Sequence, residues 1–393
     1  MLFRTRFIAI TGSLGKTTTK QLLGEILSTQ YPTFVSIRNQ NANRLVALNL
    51  LRVRPWHRFA VIELGTAAPG KLISAARLVR PHIAVITSVA EVHIQNYRDI
   101  DEIAVEKLTL LDALEEGGIA VVNGSDPRLA SLRRKSGCRV IRFGESTRGQ
   151  FDLNAFNFSA RWPDRLKFNV FDGLNRYSVK TNLVGDHWYA SVLAALLAAQ
   201  ACGVPLEESI VSIRSIKPFD ARLQPVCLPN GAVVIRDEYN GSKATYQQSL
   251  KVLAEARANR KILIASDLSD DRSKPKQRLR ILGRWAFESC DLAVFIGEHT
   301  HHARRGAENA GMPPEAIRVY SDLESAAEFV RNELRKGDLV LLKGRTSNHL
   351  TRILYALVGD IRCKRPVCPE TFLCDICWRL GASQEARSKL VPI

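Results

Sequence analysis

Short runs of apolar, β-branched residues alternate along this chain with stretches whose apolar positions recur at helical spacing. Strands are predicted over 7–11, 60–64, 83–89, 120–123 and 139–143, with helices between them. That is the pattern of a parallel sheet flanked by helices, in which each strand is covered on both faces. Between about 151 and 184 the texture changes to one-on, one-off alternation, as in Leu166-Lys167-Phe168-Asn169-Val170 and Tyr177-Ser178-Val179. This predicts a small antiparallel layer. Apolar helices are expected over 189–201 and 206–213. At Lys217-Pro218-Phe219-Asp220 the helical pattern stops at a proline and a fresh strand–helix alternation begins, with strands near 233–236, 261–266, 292–296, 317–320 and 339–342. The fold class is therefore α/β: a central P-loop parallel-sheet domain over 1–218, a Rossmann-like domain over 219–358, and a short Cys-rich tail over 359–393.

The first strand carries the first chemistry. Ile8-Ala9-Ile10-Thr11 runs into Gly12-Ser13-Leu14-Gly15 and then into a helix led by Lys16-Thr17-Thr18-Thr19. Backbone N–H groups of such a turn, with the positive end of the helix behind them, cradle the oxygens of a nucleotide triphosphate. Lys16 is placed to reach the β- and γ-phosphates and the Thr17 hydroxyl to take a Mg2+ ion. The Gly12-x-x-Gly15-Lys16-Thr17 spacing is shorter than the general P-loop pattern, so the strand before it and the helix after it carry much of the reading.

Composition narrows the picture. With 393 residues and 46% apolar content the chain has room for two or three domains with ordinary cores. No long uncharged apolar stretch and no signal-peptide pattern appears, so a cytoplasmic protein without membrane insertion is expected. The net charge of +17 is spread over the chain, with mild clusters at Arg133-Arg134-Lys135 and over 272–280. With no aromatic-interleaved or zinc-finger module beside it, this charge favours small polyanions over nucleic acid. Cys138, Cys202, Cys227 and Cys290 are scattered singly, as suits free thiols in a reducing compartment.

Further segments extend the pattern in order: Asn39-x-Asn41, Glu63-Leu64-Gly65, Val92-His93-Ile94, Ile103-Ala104-Val105-Glu106-Lys107, Asn123-Gly124-Ser125-Asp126-Pro127 and Gly185-Asp186-His187. Then come Ala221-Arg222-Leu223, Asp237-Glu238-Tyr239-Asn240 and Leu341-Leu342-Lys343-Gly344. Over roughly 6–358 this series resembles the Mur ligase superfamily, most closely the branch that adds D-alanyl-D-alanine to a UDP-muramyl-tripeptide. The resemblance implies an ATP-dependent amide ligase that phosphorylates a carboxylate to an acyl phosphate, which an amine then attacks. Cations must meet the negative charge of both steps.

By the same resemblance, Gly12, Ser13, Gly15, Lys16, Thr17, Thr18, His187, Arg222, Asp237 and Asn240 bind the nucleotide. Thr17, Glu63, His93 and Lys107 hold Mg2+, and Lys16, His93, Lys107 and Arg222 serve catalysis between the two domains. Lys107 is expected to be carbamoylated by CO2, which turns a cation into an oxygen ligand and needs a neutral amine first. Asn39, Asn41 and Lys343 are the expected substrate contacts. The plainer alternatives are a helix cap for Glu63, a packed turn for His93 and ordinary charges for the rest. The expected partners are a small-molecule carboxylate and an amine.

The chain also departs from the family. Trp188 and Ser191 stand where asparagines follow the Gly-x-His motif, so Trp188 either stacks on the base or belongs to the core. Only about ten residues precede Gly12, where full-length cell-wall ligases carry a UDP-sugar-binding domain. Three explanations are open: a misassigned start, a carboxylate substrate that is not UDP-linked, or a protein partner that replaces the missing domain. A non-catalytic nucleotide-binding protein is the competing reading outside enzymes. In the tail, Cys363, Cys368, Cys374 and Cys377 could hold a structural Zn2+ or an iron–sulfur cluster, or remain plain thiols; five residues between the pairs is short for a zinc ribbon.

Overall fold

A computed structural model describes residues 5–38, 41–130, 137–147, 149–269, 272–365 and 368–393. Asn39, expected to touch substrate, and the basic run at 133–135 lie outside the described residues. The chain forms two compact units. The first comprises Met1–Ala160, Arg165–Asn182 and Asp186–Lys217, and the second Arg161–Asp164, Leu183–Gly185 and Pro218–Ile393. No helix among the described residues is long and apolar enough to cross a membrane.

The first unit is built on nine strands: β1 (Arg6–Thr11), β2 (Thr33–Val35), β3 (Phe59–Glu63), β4 (Ile83–Ile86), β5 (Ile119–Asn123), β6 (Arg139–Glu145), β7 (Leu153–Ser159), β8 (Lys167–Phe171) and β9 (Arg176–Lys180). Their order is β2-β3-β1-β4-β5-β6-β7-β8-β9. The strands from β2 to β7 pair in parallel, and β3 and β4 are buried along their whole length, which is why they read as unbroken apolar runs. The alternating segment forms no layer of its own. Strands β8 and β9 continue the same sheet in antiparallel pairing, where one half-exposed face allows polar and apolar residues to alternate.

The helix Tyr189–Ala201 is buried on nearly every side, as its Ala- and Leu-rich sequence requires, and packs against the helix Lys16–Ser28. It thereby backs the turn that follows β1.

The second unit holds β10 (Gln224–Cys227), β11 (Val233–Asp237), β12 (Arg260–Ala265), β13 (Leu292–Ile296), β14 (Ile317–Tyr320), β15 (Asp338–Lys343) and β16 (Val391–Pro392), ordered β14-β13-β12-β15-β11-β10-β16. From β12 the chain steps outward to β13 and β14, then returns to lay β15 on the other side of β12. The strand order therefore reverses between β12 and β15, where open α/β sheets leave a crevice at their carboxyl ends. The tail is part of this unit. Strand β16 pairs antiparallel with β10, and both Asp375 carboxylate oxygens accept from the buried Arg236, at 2.9 and 2.8 Å. Burial works against the Arg236 charge, but Glu238 and Asp375 outweigh it and hold its pKa above the ordinary value.

Candidate functional site

The turn after β1 is shaped by two glycines. Gly12 has φ 147°, and a Cβ there would lie 2.0 Å from Thr87 Oγ1; Gly15 has φ 80°, and its Cβ would lie 2.7 Å from Ser191 Oγ. Both positions need positive φ and close approach, so only glycine fits without strain. The end of β4 braces the turn: Ser13 N donates to Ser88 O (2.8 Å), Leu14 N to Ser88 Oγ (3.1 Å) and Thr87 Oγ1 to Leu14 O (2.6 Å). Thr87 and Ser88 were not legible as site residues, because their role is to hydrogen-bond a loop more than seventy positions away. Lys16 Nζ reaches back over the turn and donates to the carbonyls of Gly12 (2.6 Å) and Ser13 (3.0 Å). Thr17 and Thr18 are buried in the first turn of the helix, and the Thr18 hydroxyl has no hydrogen-bond partner among the described residues.

Beside this turn lies a cavity of about 190 Å3 whose lining includes Gly12, Ser13, Lys16, Asn41, His93 and Lys107. Residues far apart in sequence meet here: Gly12 and Ser13 follow β1, Lys16 starts the next helix, His93 follows β4 at a distance, and Lys107 comes from the last turn of the helix Ile100–Leu108. His93 is held in a left-handed conformation at φ 57°. Lys107 lies on the helix Ile100–Leu108 and is almost wholly buried. Burial, with the positive charge of Lys16 second and Glu106 opposing, brings its ammonium down from 10.5 to about 7. The neighbouring Glu106 carboxylate accepts from the N–H groups of Gly70 (2.7 Å), Lys71 (3.0 Å) and Leu72 (2.8 Å), which pins the Lys107 helix to the start of the helix Leu72–Val79.

Glu63 ends β3 and is buried behind Asn41, whose Nδ2 donates to Oε1 at 2.8 Å. Its other oxygen, Oε2, takes no hydrogen bond among the described residues and lies 3.5 Å from Lys20 Nζ. Lys20 was not singled out in the sequence, yet it stands four positions after Lys16 on a buried helix face, and that periodicity was its signal. Mg2+ favours carboxylate and hydroxyl oxygens. The Thr17 hydroxyl and a buried, under-bonded Glu63 carboxylate are donors of that kind, so the residues fit the ion.

His187 lies in the turn Asp186–Trp188 with its ring centroid 4.6 Å from that of Trp188. The Trp188 ring is buried, and its Nε1 has no partner among the described residues. Ser191 abuts Gly15.

In the second unit, Arg222, Asp237, Tyr239, Asn240 and Lys343 gather near the carboxyl ends of β11 and β15. The Arg222 guanidinium sits 4.2 Å from the Tyr239 ring centroid, between Ala221 (φ 52°) and Leu223 (φ 49°), two non-glycine residues in the left-handed region. Asp237 accepts from Leu223 N (3.2 Å) and Ser249 Oγ (2.5 Å). Lys343 is fully buried, 2.6 Å from Asp237 Oδ2 and donating to Asn240 O at 2.8 Å. Burial lowers its pKa, with Asp237 pulling the other way.

The tail corrects one expectation. Cys363, Cys368, Cys374 and Cys377 line a common small cavity with His349, yet among the described residues no group of three or more His, Cys, Asp or Glu side chains is placed to hold a metal ion. A tetrahedral structural zinc centre needs four converging thiolate or imidazole ligands. Cys374 instead lies 3.5 Å from His349 Nδ1, and burial pushes its thiol up to about 12, which keeps it protonated.

Comparison with known proteins gives a concordant result. Residues 10–199 match the Mur ligase middle domain and residues 221–346 match the Mur ligase glutamate ligase domain. The UDP-N-acetylmuramoyl-tripeptide--D-alanyl-D-alanine ligase of Bacillus subtilis is 26% identical over 363 residues, which are 90% of this chain and 76% of that enzyme. A crystal structure of MurF from Acinetobacter baumannii superposes with a TM-score of 0.82 at 26% identity, covering 90% of this chain and 77% of that one. MurF ligase from Thermotoga maritima, solved in complex with ADP, shares the fold at a TM-score of 0.78 and 21% identity, covering 90% and 80%.

Proposed function

The chain belongs to the Mur ligase family of ATP-dependent ligases, and from that premise we propose that it forms an amide bond in peptidoglycan precursor synthesis, joining D-alanyl-D-alanine to a UDP-muramyl-tripeptide. The observation that carries this reading is the convergence of Gly12, Lys16, His93 and Lys107 on one cavity, where burial brings the Lys107 ammonium down to about 7. A phosphate cradle alone serves any nucleotide hydrolase. A buried lysine beside it whose amine is free to react is what the ligase chemistry asks for.

In this reading the N–H groups after Gly12 and the Lys16 ammonium hold the phosphates of ATP and draw charge from the γ-phosphoryl as it moves to the substrate carboxylate. Lys107 adds CO2: its amine nitrogen forms the N–C bond, releases one proton and becomes a carbamate anion. Thr17, Glu63, His93 and that carbamate would hold Mg2+, which neutralises phosphate charge when bound. Asn41 fixes the Glu63 carboxylate. Asn41, which lines the cavity, contacts the carboxylate substrate. Arg222 meets the γ-phosphate, while His187, Asp237 and Asn240 contact the nucleotide. Lys343 supports this set by holding Asp237 and Asn240 in place. The domain assignment follows the family: 1–218 binds ATP, 219–358 completes the ligase and 359–393 is a tail. A cytoplasmic setting goes with ATP as co-substrate and with eight free cysteines.

The test is ADP release with Mg2+ and ATP in the presence of UDP-muramyl-tripeptide and D-alanyl-D-alanine, with mass detection of the amide. Amide formation on that pair supports the reading. ADP release only with a different carboxylic acid means a re-targeted ligase, activity only on adding a second protein means a partner completes the site, and no turnover with any pairing overturns the enzymatic reading.

A further inference from the structure

Between Glu25 and Glu63 the chain carries no acidic residue, yet it carries Arg38, Arg44, Arg52, Arg54 and Arg58, all of them exposed. The helix Asn43–Leu50 lies in this stretch, and its inward face is fixed. Val46 and Asn49 are buried beneath it; Asn49 Nδ2 donates to Leu45 O at 2.9 Å, and Asn49 Oδ1 accepts from Ile37 N at 3.0 Å. Helical bonding reaches one residue further, where Leu51 N donates to Ala47 O at 3.1 Å. Positions 44, 48, 51 and 52 therefore share the outward face.

A face turned to water is expected to be polar throughout, but this one is not. Leu48 is 50% exposed, Leu51 73% and, in the turn that follows, Trp56 67%. Single exposed apolar side chains are ordinary, whereas several set together among cations mark a contact surface. None of the five arginines joins an ion pair among the described residues. Strand β3 and the helix Leu72–Val79 pack against Asn43–Leu50 and hold one acidic residue between them, the buried Glu63. Glu25 and Asp112 are exposed on the helices Lys16–Ser28 and Thr109–Ala113, which pack against those in turn; Glu208 accepts from Gln30, and Glu115 pairs with Arg80 at 2.7 Å. The arginines thus stand clear of the neighbouring carboxylates that have partners of their own.

We propose that this face docks on an anionic lipid bilayer, with Leu48, Leu51 and Trp56 seated at the boundary of headgroups and acyl chains and the arginines on lipid phosphates. Guanidinium groups are drawn to the negative surface, aliphatic side chains gain by leaving water beneath it, and tryptophan favours the boundary itself. A nucleic acid would use the arginines and could stack on Trp56, but it offers Leu48 and Leu51 nothing. The contact is peripheral, since no helix among the described residues is long and apolar enough to cross a membrane. The helix begins directly after Asn41 and Ala42, which line the ligase cavity, but none of the docking residues does, so the surface stands apart from the ligase reading.

Co-sedimentation of the full chain with vesicles of phosphatidylglycerol and phosphatidylcholine in equal parts, against phosphatidylcholine alone, tests the surface without reference to catalysis. Binding is expected on the anionic vesicles, falling as salt is raised, and not on the neutral ones. The combined Leu48→Ser, Leu51→Ser and Trp56→Ser variant should partition about tenfold more weakly or worse, and so should Arg52→Gln with Arg54→Gln. Because the whole chain carries +17, the control is Arg304→Gln with Arg305→Gln, which removes the same charge from the helix His301–Ala310 and should change binding less than twofold. Thermal melts establish that each variant is folded. No binding to the anionic vesicles, binding that survives the apolar variant, or an equal loss in the control overturns the surface. Binding of a duplex oligonucleotide in place of vesicles, weakened by the same substitutions, makes it a nucleic-acid site and overturns the lipid. A dimer that dissociates in the apolar variant, with no vesicle binding, makes it a contact between copies and overturns the lipid as well.

Discussion

The Lys343 ammonium lies 2.6 Å from Asp237 Oδ2 at the adjoining ends of β15 and β11, with no part of the lysine side chain exposed. The two residues stand opposite each other in the parallel register, so one charge pair ties the carboxyl ends of neighbouring strands together. Removing one partner leaves the other buried and unpaired. Lys343→Met should lower stability by about 3–5 kcal/mol, read as a fall in the denaturant midpoint. Lys343→Met combined with Asp237→Asn should recover a large part of the loss, and a strictly additive double variant would show that the pair is not coupled.

Lys16 lies across the turn after β1 and, in the ligase reading, supplies charge only when phosphates are bound. Lys16→Ala should reduce ATP-dependent turnover by about 10²- to 10³-fold with little change in thermal midpoint. Turnover within a few-fold of wild type would remove Lys16 from the reaction.

Lys107 has a pKa brought down to about 7, so its neutral, nucleophilic form dominates above that pH and its charged form below. Acetic anhydride in trace amounts should acetylate Lys107 with a half-maximal rate near pH 7, well below the midpoint of exposed lysines. With 13C-labelled CO2 at pH 8 a carbamate carbon resonance should appear and be missing in Lys107→Met. A midpoint near ten would mean that the lysine is solvated in solution.

Gly12→Ala meets Thr87 Oγ1 and a φ that L-residues rarely adopt. The turn must shift, and nucleotide affinity measured by calorimetry should fall at least about tenfold, the equivalent of about 1.4 kcal/mol. Unchanged affinity would mean that the turn is not the cradle.

Asp375 receives two hydrogen bonds from Arg236, one from Tyr355 Oη at 3.2 Å and, at its carbonyl, one from Arg387 at 2.8 Å. Asp375→Ala should cost about 1.5–3 kcal/mol and speed limited proteolysis within 359–393. Proteolysis at the wild-type rate would show that the tail is held by other contacts.

Much of the first unit was legible from sequence because its signals are local. The apolar run into Gly12, the helix opened by Lys16 and the fully buried β3 that ends in Glu63 each follow from a few consecutive residues. The boundary at Pro218 was marked by the loss of helical periodicity. Alternation over 151–184 correctly gave antiparallel strands, but not their attachment to the edge of the large sheet, since strand pairing depends on which edge the rest of the fold leaves open. The four tail cysteines have metal-like spacing, but whether thiols converge depends on how the tail packs on His349 and Arg236.

The sequence by itself determined which residues carry charge, which turns require glycine and which segments are strand or helix, because those follow from the covalent chain and its local periodicity. Tertiary structure alone decided that Lys20 faces Glu63, that Glu106 pins the helix of Lys107, and that burial, with Lys16 second, lowers the pKa of Lys107. Each is a matter of burial and of distance between residues remote along the chain, and the energy of a charge depends on both.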